Sequence, residues 1–179
     1  MLEITIPDRE FFDENTSSFI TIKGATLRLE HSLVSLSKWE SKWNKPFLTK
    51  DEKTYDEIID YIKCMTTTQN VNPEVYTIID DKSVEAINSY IEAPMTATTF
   101  SDQKGKGNKE IVTAELIYYW MIALNIPFEC QKWHLNRLLT LVKVCSIKNQ
   151  PPKKMSKKDL MNRNTALNNA RRQKLNTKG

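Results

Sequence analysis

Glu110-Ile-Val-Thr-Ala-Glu-Leu-Ile-Tyr-Tyr-Trp-Met-Ile-Ala-Leu124, then Asn125-Ile-Pro127 and a second run over 128–147, is the stretch that decides the fold. Residues 116–124 are apolar or aromatic without a break. A helix apolar on every side belongs inside a protein. Nine such residues fall far short of the roughly 20 needed to cross a bilayer, so the run predicts a buried helix and not a membrane span. Pro127 disfavours the αR conformation at Ile126 and suits the first turn of a new helix, which predicts two helices joined by a tight turn, the second over 128–147.

Around this pair, 179 residues make one domain of ordinary size, able to bury a core without disulfide or metal staples. A content of 40% hydrophobic and 27% charged residues is that of a soluble globular protein, and only four glycines favours helix over tight hairpins. Charge is unevenly placed: 1–147 hold 16 Lys and Arg against 21 Asp and Glu, whereas 148–179 hold ten against one. An acidic body carrying a basic arm is expected, the arm suited to an acidic protein surface or a nucleic acid. Three cysteines (Cys64, Cys130 and Cys145) cannot all pair within one chain, and no apolar leader is evident, so reduced thiols in a cytoplasm are expected.

Toward the N-terminus, the alternation over 2–6 predicts a half-buried strand, and 19–23 and 26–30 predict two more with Gly24-Ala25 as their turn. From Ser32 the period becomes helical, with Leu33, Leu36, Trp39 and Trp43 on one face until Pro46 stops the helix. Thr49 and Glu52 form a capping-box pattern ahead of Tyr55, Ile58, Ile59, Ile62 and Met65, with an acidic opposite face. Asn72-Pro73-Glu74 starts a short helix over 73–79, and Val84, Ile87 and Ile91 mark another over 83–92. Residues 94–109 have no period and end in a Gly- and Lys-rich loop. Pro151-Pro152 gives a stiff break before 156–174, helical in pattern but too poor in apolar residues to order itself, hence frayed or partner-dependent. The expected fold is α+β: a predominantly helical body over 1–149, with a small N-terminal antiparallel β element over 1–31, and a basic C-terminal arm over 150–179.

Cys130 and His134, four apart on one face of the expected helix, could bind zinc together with Cys145 and Cys64. Their spacing matches no pair of zinc knuckles, and Leu138, Leu141 and Val142 share that face, so packing is the expected role. As a nucleophile and base, Cys130 and His134 lack a third, orienting group. His31 is expected at a solvated strand-to-helix junction or in a capping role there, and Asp56, Glu57 and Asp60 on the solvated side of a helix. Gly105-Lys106-Gly107 lacks the spacing of a phosphate loop. No catalytic residue, cofactor or metal is therefore expected. Partner contacts are expected of Trp39, Trp43, Tyr118 and Trp133, because indole and phenol groups dominate interface hot spots, and of Arg171 and Arg172 in the arm.

The segments His31-Ser-Leu-Val-Ser-Leu-Ser-Lys-Trp-Glu-Ser-Lys-Trp43, Ile59-Asp-Tyr-Ile-Lys-Cys-Met65, Pro94-Met-Thr-Ala-Thr98, Ile117-Tyr-Tyr-Trp-Met-Ile122, Ile126-Pro-Phe-Glu-Cys-Gln-Lys-Trp-His-Leu-Asn-Arg137 and Pro151-Pro-Lys-Lys-Met-Ser156 resemble a family of small proteins of tailed bacteriophages and prophages, the tail assembly chaperones. The resemblance spans nearly the whole chain. It implies a non-enzymatic factor that binds the helical tape-measure protein and the tail-tube protein in the host cytoplasm, with self-association possible and no membrane contact. Two other readings stand beside it: a nucleic-acid-binding phage protein using the basic arm, and a virion head-to-tail connector subunit.

Overall fold

β1 (Leu2–Ile6) runs antiparallel to β4 (Ala25–Leu29), and β2 (Arg9–Asp13) runs antiparallel to β3 (Ser18–Ile22), in a computed structural model that describes residues 1–14, 17–100, 110–150 and 156–176. Leu2 faces Leu29 in the first ladder and Arg9 faces Ile22 in the second, so both keep one register. The four strands are thus one long ribbon, interrupted where Pro7-Asp8 faces Lys23-Gly24. Gly24 is required there by close approach: a Cβ on it would lie 1.9 Å from the Ile6 carbonyl oxygen. Its N–H donates to Asp8 Oδ1 at 2.7 Å.

Two expectations change at this ribbon. Gly24-Ala25 is not a hairpin turn, because β3 pairs backwards with β2 and β4 with β1. Strand β2 was not anticipated, since Arg-Glu-Phe-Phe-Asp lacks the alternation of a half-buried strand. Ile4, Ile6, Leu27 and Leu29 of the near half are buried, as period-2 alternation requires.

Helix α1 (Leu33–Trp43) starts on a capping box between Ser32 and Ser35 and ends on Asn44 in the left-handed region. Helix α2 (Tyr55–Met65) is capped by Thr54 with Glu57, five residues beyond the expected Thr49 and Glu52. Both pairs fit the motif, but Glu57 also accepts Lys45 Nζ at 2.6 Å, an anchor the earlier pair lacks. A 3-10 turn (Pro73–Ile78) and helix α3 (Asp81–Glu92) follow, capped by Asn72 and Asp80. One core cluster gathers Leu27, Leu29, Trp39, Tyr61, Ile62, Met65, Val75 and Ile87 from these elements.

Helix α4 (Ala114–Ala123) and helix α5 (Leu135–Asn149) build a second cluster with α1, centred on Leu33, Leu36, Ile117, Met121, Leu135 and Leu138. The expected single helix over 128–147 is broken. Residues Phe128–Lys132 form a 3-10 turn, Trp133 is extended, and only then does α5 begin. The break has a partner: Ser32 and His134 form an antiparallel bridge, and Leu135 N–H donates to the His31 carbonyl at 2.7 Å. Within the turn the backbone bonds stay local, Cys130 N–H donating to the Pro127 carbonyl and Trp133 N–H to the Cys130 carbonyl.

The chain divides into two compact units, Met1–Ser146 and Ile147–Gly179. In the second, helix α6 (Lys157–Leu175) is capped by Ser156 and has no buried residue. The Gly- and Lys-rich loop and the Pro151-Pro152 break expected from the sequence lie outside the described residues. The protein is α+β, mostly helical, with an antiparallel β element at its N-terminus.

Candidate functional site

Helix α4 opens with Thr113 Oγ1 accepting the Leu116 N–H and with a carboxylate from elsewhere in the chain: Glu40 Oε2 accepts the Ala114 N–H at 2.7 Å. Glu40 is buried, and its other oxygen accepts the Phe47 N–H at 2.8 Å. One anion thereby ties the loop after α1 to the positive end of α4. The helix is fixed on a single side, with Ala114, Ile117 and Met121 buried at spacings of three and four.

The other side is the departure from expectation. Tyr119 is 63% exposed and Ile122 61% exposed, so the run 116–124 is not buried all round. Phe128, on the 3-10 turn that follows, is also exposed and lies beside Tyr118, ring centroids 6.3 Å apart. Tyr118 is half-buried and donates its hydroxyl to Gln131 at 2.9 Å. Tyr119 and Ile122, three residues apart, thus share the outward side of the helix, and Phe128 is exposed next to Tyr118 on the turn that follows. Exposed apolar residues that adjoin one another are the kind of surface at which proteins meet.

A second apolar surface lies at the far half of the ribbon. Phe12 sits directly opposite Phe19, edge to face at 5.2 Å, and Phe11 directly opposite Ile20; all four are exposed. Opposed residues share a face, so both faces carry an apolar pair. A cleft of about 280 Å³ also opens between α2 and α3, lined by Phe47, Ile58, Tyr61, Ile62, Ile87 and Ile91 among others.

The two histidines meet where the core clusters join. His31 and His134 are both buried, ring centroids 5.1 Å apart. Asn136 N–H donates to His134 Nδ1, which leaves Nε2 carrying the proton and donating to the Tyr90 carbonyl at 3.0 Å. His31 Nδ1 is hydrogen-bonded to the Tyr61 hydroxyl at 2.6 Å. Burial, and then the nearby His134, lower the pKa of His31 to about 4, and burial lowers that of His134. Both rings are neutral structural parts, so the expected solvated junction at His31 is corrected. The signal for this, two histidines a hundred residues apart, is invisible to local pattern.

The expected solvated acids are corrected as well. Glu57 and Asp60 are buried; only Asp56 is exposed. Asp60 accepts from Lys42 Nζ and, at 3.0 Å, from Trp43 Nε1. The ammonium of Lys45 and the N–H of Thr54 hold the Glu57 carboxyl below its usual range.

Of the expected partner contacts, Trp39 is fully buried, donating Nε1–H to the Glu57 carbonyl at 2.8 Å and packing against Trp43 and Phe47. It is a core residue. Trp43 is half-buried and held by Asp60, and Trp133 is half-buried with the Arg137 guanidinium 4.1 Å above its ring. Arg171 and Arg172 are exposed on α6. Cys130 is buried, and no group of three or more His, Cys, Asp or Glu placed to hold a metal occurs among the described residues. Cys130 and His134 do not share a helix face, because α5 begins only at Leu135. No helix among the described residues is long and apolar enough to cross a membrane. Comparison with protein-family models, with curated proteins and with solved structures finds no match.

Proposed function

We propose that the protein is a non-enzymatic protein-binding factor acting in the host cytoplasm during bacteriophage tail assembly, and that it holds a helical segment of the tape-measure protein or a tail-tube subunit. The observation that carries the reading is the outward face of α4, where Tyr119 and Ile122 are turned to water, with Phe128 exposed next to Tyr118 on the turn that follows. A rigid aromatic and aliphatic face suits the apolar side of an amphipathic helix, which docks through residues at i, i+3, i+4 and i+7. The resemblance of the segments quoted above to tail assembly chaperones supplies the identity of the partner. The exposed apolar pairs of β2 and β3 offer a second contact of the same chemistry.

Co-expression with the tape-measure protein of the same phage tests this directly. The expected result is co-purification, a larger soluble fraction of the tape-measure protein, and absence of this chain from the mature particle. A partner that stays equally insoluble and does not co-purify contradicts the reading, and a stoichiometric place in the purified particle assigns the chain to the virion instead.

A further inference from the structure

Helix α6 carries a surface that the body does not explain. Its 19 residues include Lys157, Lys158, Arg163, Arg171, Arg172 and Lys174 against one acid, Asp159, which sits in the first turn with Ser156. No residue of the helix is buried. Its wheel is ordered: Asn162, Ala166, Asn169 and Gln173 recur at spacings of four, three and four and so share one side. By the same geometry Lys158 and Arg172 stand along one margin of that side, and Lys174 along the other, where the first-turn Asp159 also lies, held by Ser156.

We propose that α6 is a DNA-binding helix, its amide side turned to the floor of the major groove of a duplex and its marginal cations turned to the phosphates. Three physical points favour a duplex over other anions. A helix about 10–12 Å across fits a major groove about 12 Å wide, whereas the A-form groove of RNA is too narrow. Asn and Gln side chains both donate and accept, which suits base edges, and alanine at 166 lets the helix approach closely. A helix docked in a protein groove needs an apolar stripe. On α6, Leu160, Leu167 and Leu175 share their side with Asn164 and Arg171, so the apolar stripe is broken at every second position. The helix has no aromatic residue on which unpaired bases would stack.

The proposal concerns the arm alone and stands or falls separately from the face on α4. Its test is fluorescence anisotropy of the full-length protein with a labelled 20-base-pair duplex, the matching single strand, and polyglutamate. Duplex affinity is expected to fall about 10²- to 10³-fold between 50 and 200 mM salt, as release of counterions from four or five phosphates requires. The triple variant Lys158→Ala, Arg172→Ala, Lys174→Ala should make the slope of log affinity against log salt shallower by about 2.7. Asn162→Ala, Asn169→Ala, Gln173→Ala together should leave that slope unchanged and weaken duplex binding about fivefold or more. Alanine is the best helix former, so both variants keep α6, which circular dichroism checks. Failure to bind duplex at 50 mM salt overturns the proposal. So does equal affinity for the single strand, equal affinity for polyglutamate (the result an acidic protein partner would give), or no effect of either variant.

Discussion

The imidazole rings of His31 and His134 lie edge to face with centroids 5.1 Å apart, both buried, at the point where the strand leaving β4 pairs with the residues leading into α5. Tyr61 of α2 and Tyr90 of α3 close the site, with Glu30 accepting the Tyr90 hydroxyl and Ser35 of α1 bonded to the Glu30 carbonyl. Elements of both core clusters therefore meet on two rings that must stay neutral.

The sign of the resulting pH dependence follows. His31 has a folded pKa near 4, against 6.5 for the free group, so the unfolded chain binds more protons between those values. Its contribution is fully present above pH 6.5, is lost as pH falls toward 4, and levels off below. Between pH 7 and pH 5, above the range in which free carboxylates titrate, stability in urea should fall by about 2 kcal/mol. His31→Gln should flatten most of that slope.

Trp39 and Trp43 sit one helical turn apart but should respond differently. Trp39→Ala removes a fully buried indole and leaves the Glu57 carbonyl without its donor, and should cost about 3–5 kcal/mol. Trp43→Ala, at a half-buried site, should cost roughly 1–2 kcal/mol. Urea denaturation midpoints at constant slope measure both.

Much of the chain was legible in advance, and the exceptions share a cause. Strands β1 and β4, helix α1, the turn at Pro73 and helix α3 follow from local period and capping residues, whereas the arm, expected to be frayed, is a helix over Lys157–Leu175 capped by Ser156. What local pattern could not carry is pairing at a distance. Gly24 reads as a turn because glycine usually is one, yet here it is needed to pass the Ile6 carbonyl. Residues 128–134 read as helix, yet 128–132 form a 3-10 turn and His134 pairs with Ser32 from across the fold. Trp39 reads as a contact for a partner because indoles favour interfaces, and only the fold shows it enclosed. Glu57 and Asp60 read as solvated because acids usually are, whereas Lys45, Lys42 and Trp43 arrive from the end of α1 to satisfy them. The outward face of α4 was missed for the opposite reason: an unbroken apolar run gives no sign of which side stays wet.

Glu40 gives a sharper test of the architecture behind that face. Glu40→Ala strands two backbone donors, Phe47 N–H and Ala114 N–H, and should destabilise by about 3 kcal/mol. Glu40→Gln keeps a single acceptor oxygen and should cost roughly half as much. Equal costs would mean that only the charge, and not the second hydrogen bond, matters.

Gly24→Ala forces the backbone at Ile6 and Pro7 to move, since no side-chain tip can yield there. A loss on the order of 2 kcal/mol is expected, read as a lowered melting temperature, with the helices retained by circular dichroism.

The account turns on whether the outward face of α4 grips another protein. The direct measurement is the dissociation constant for the tape-measure protein, or its helical segment, of the wild type and of the double variant Tyr119→Ser, Ile122→Ser, beside their stabilities in urea. The account predicts stabilities within about 1 kcal/mol, as for two exposed positions, and an affinity at least 30-fold weaker for the variant, roughly the 2 kcal/mol expected of hot-spot residues. An affinity unchanged by the double substitution, in a variant that folds as well as the wild type, would contradict it.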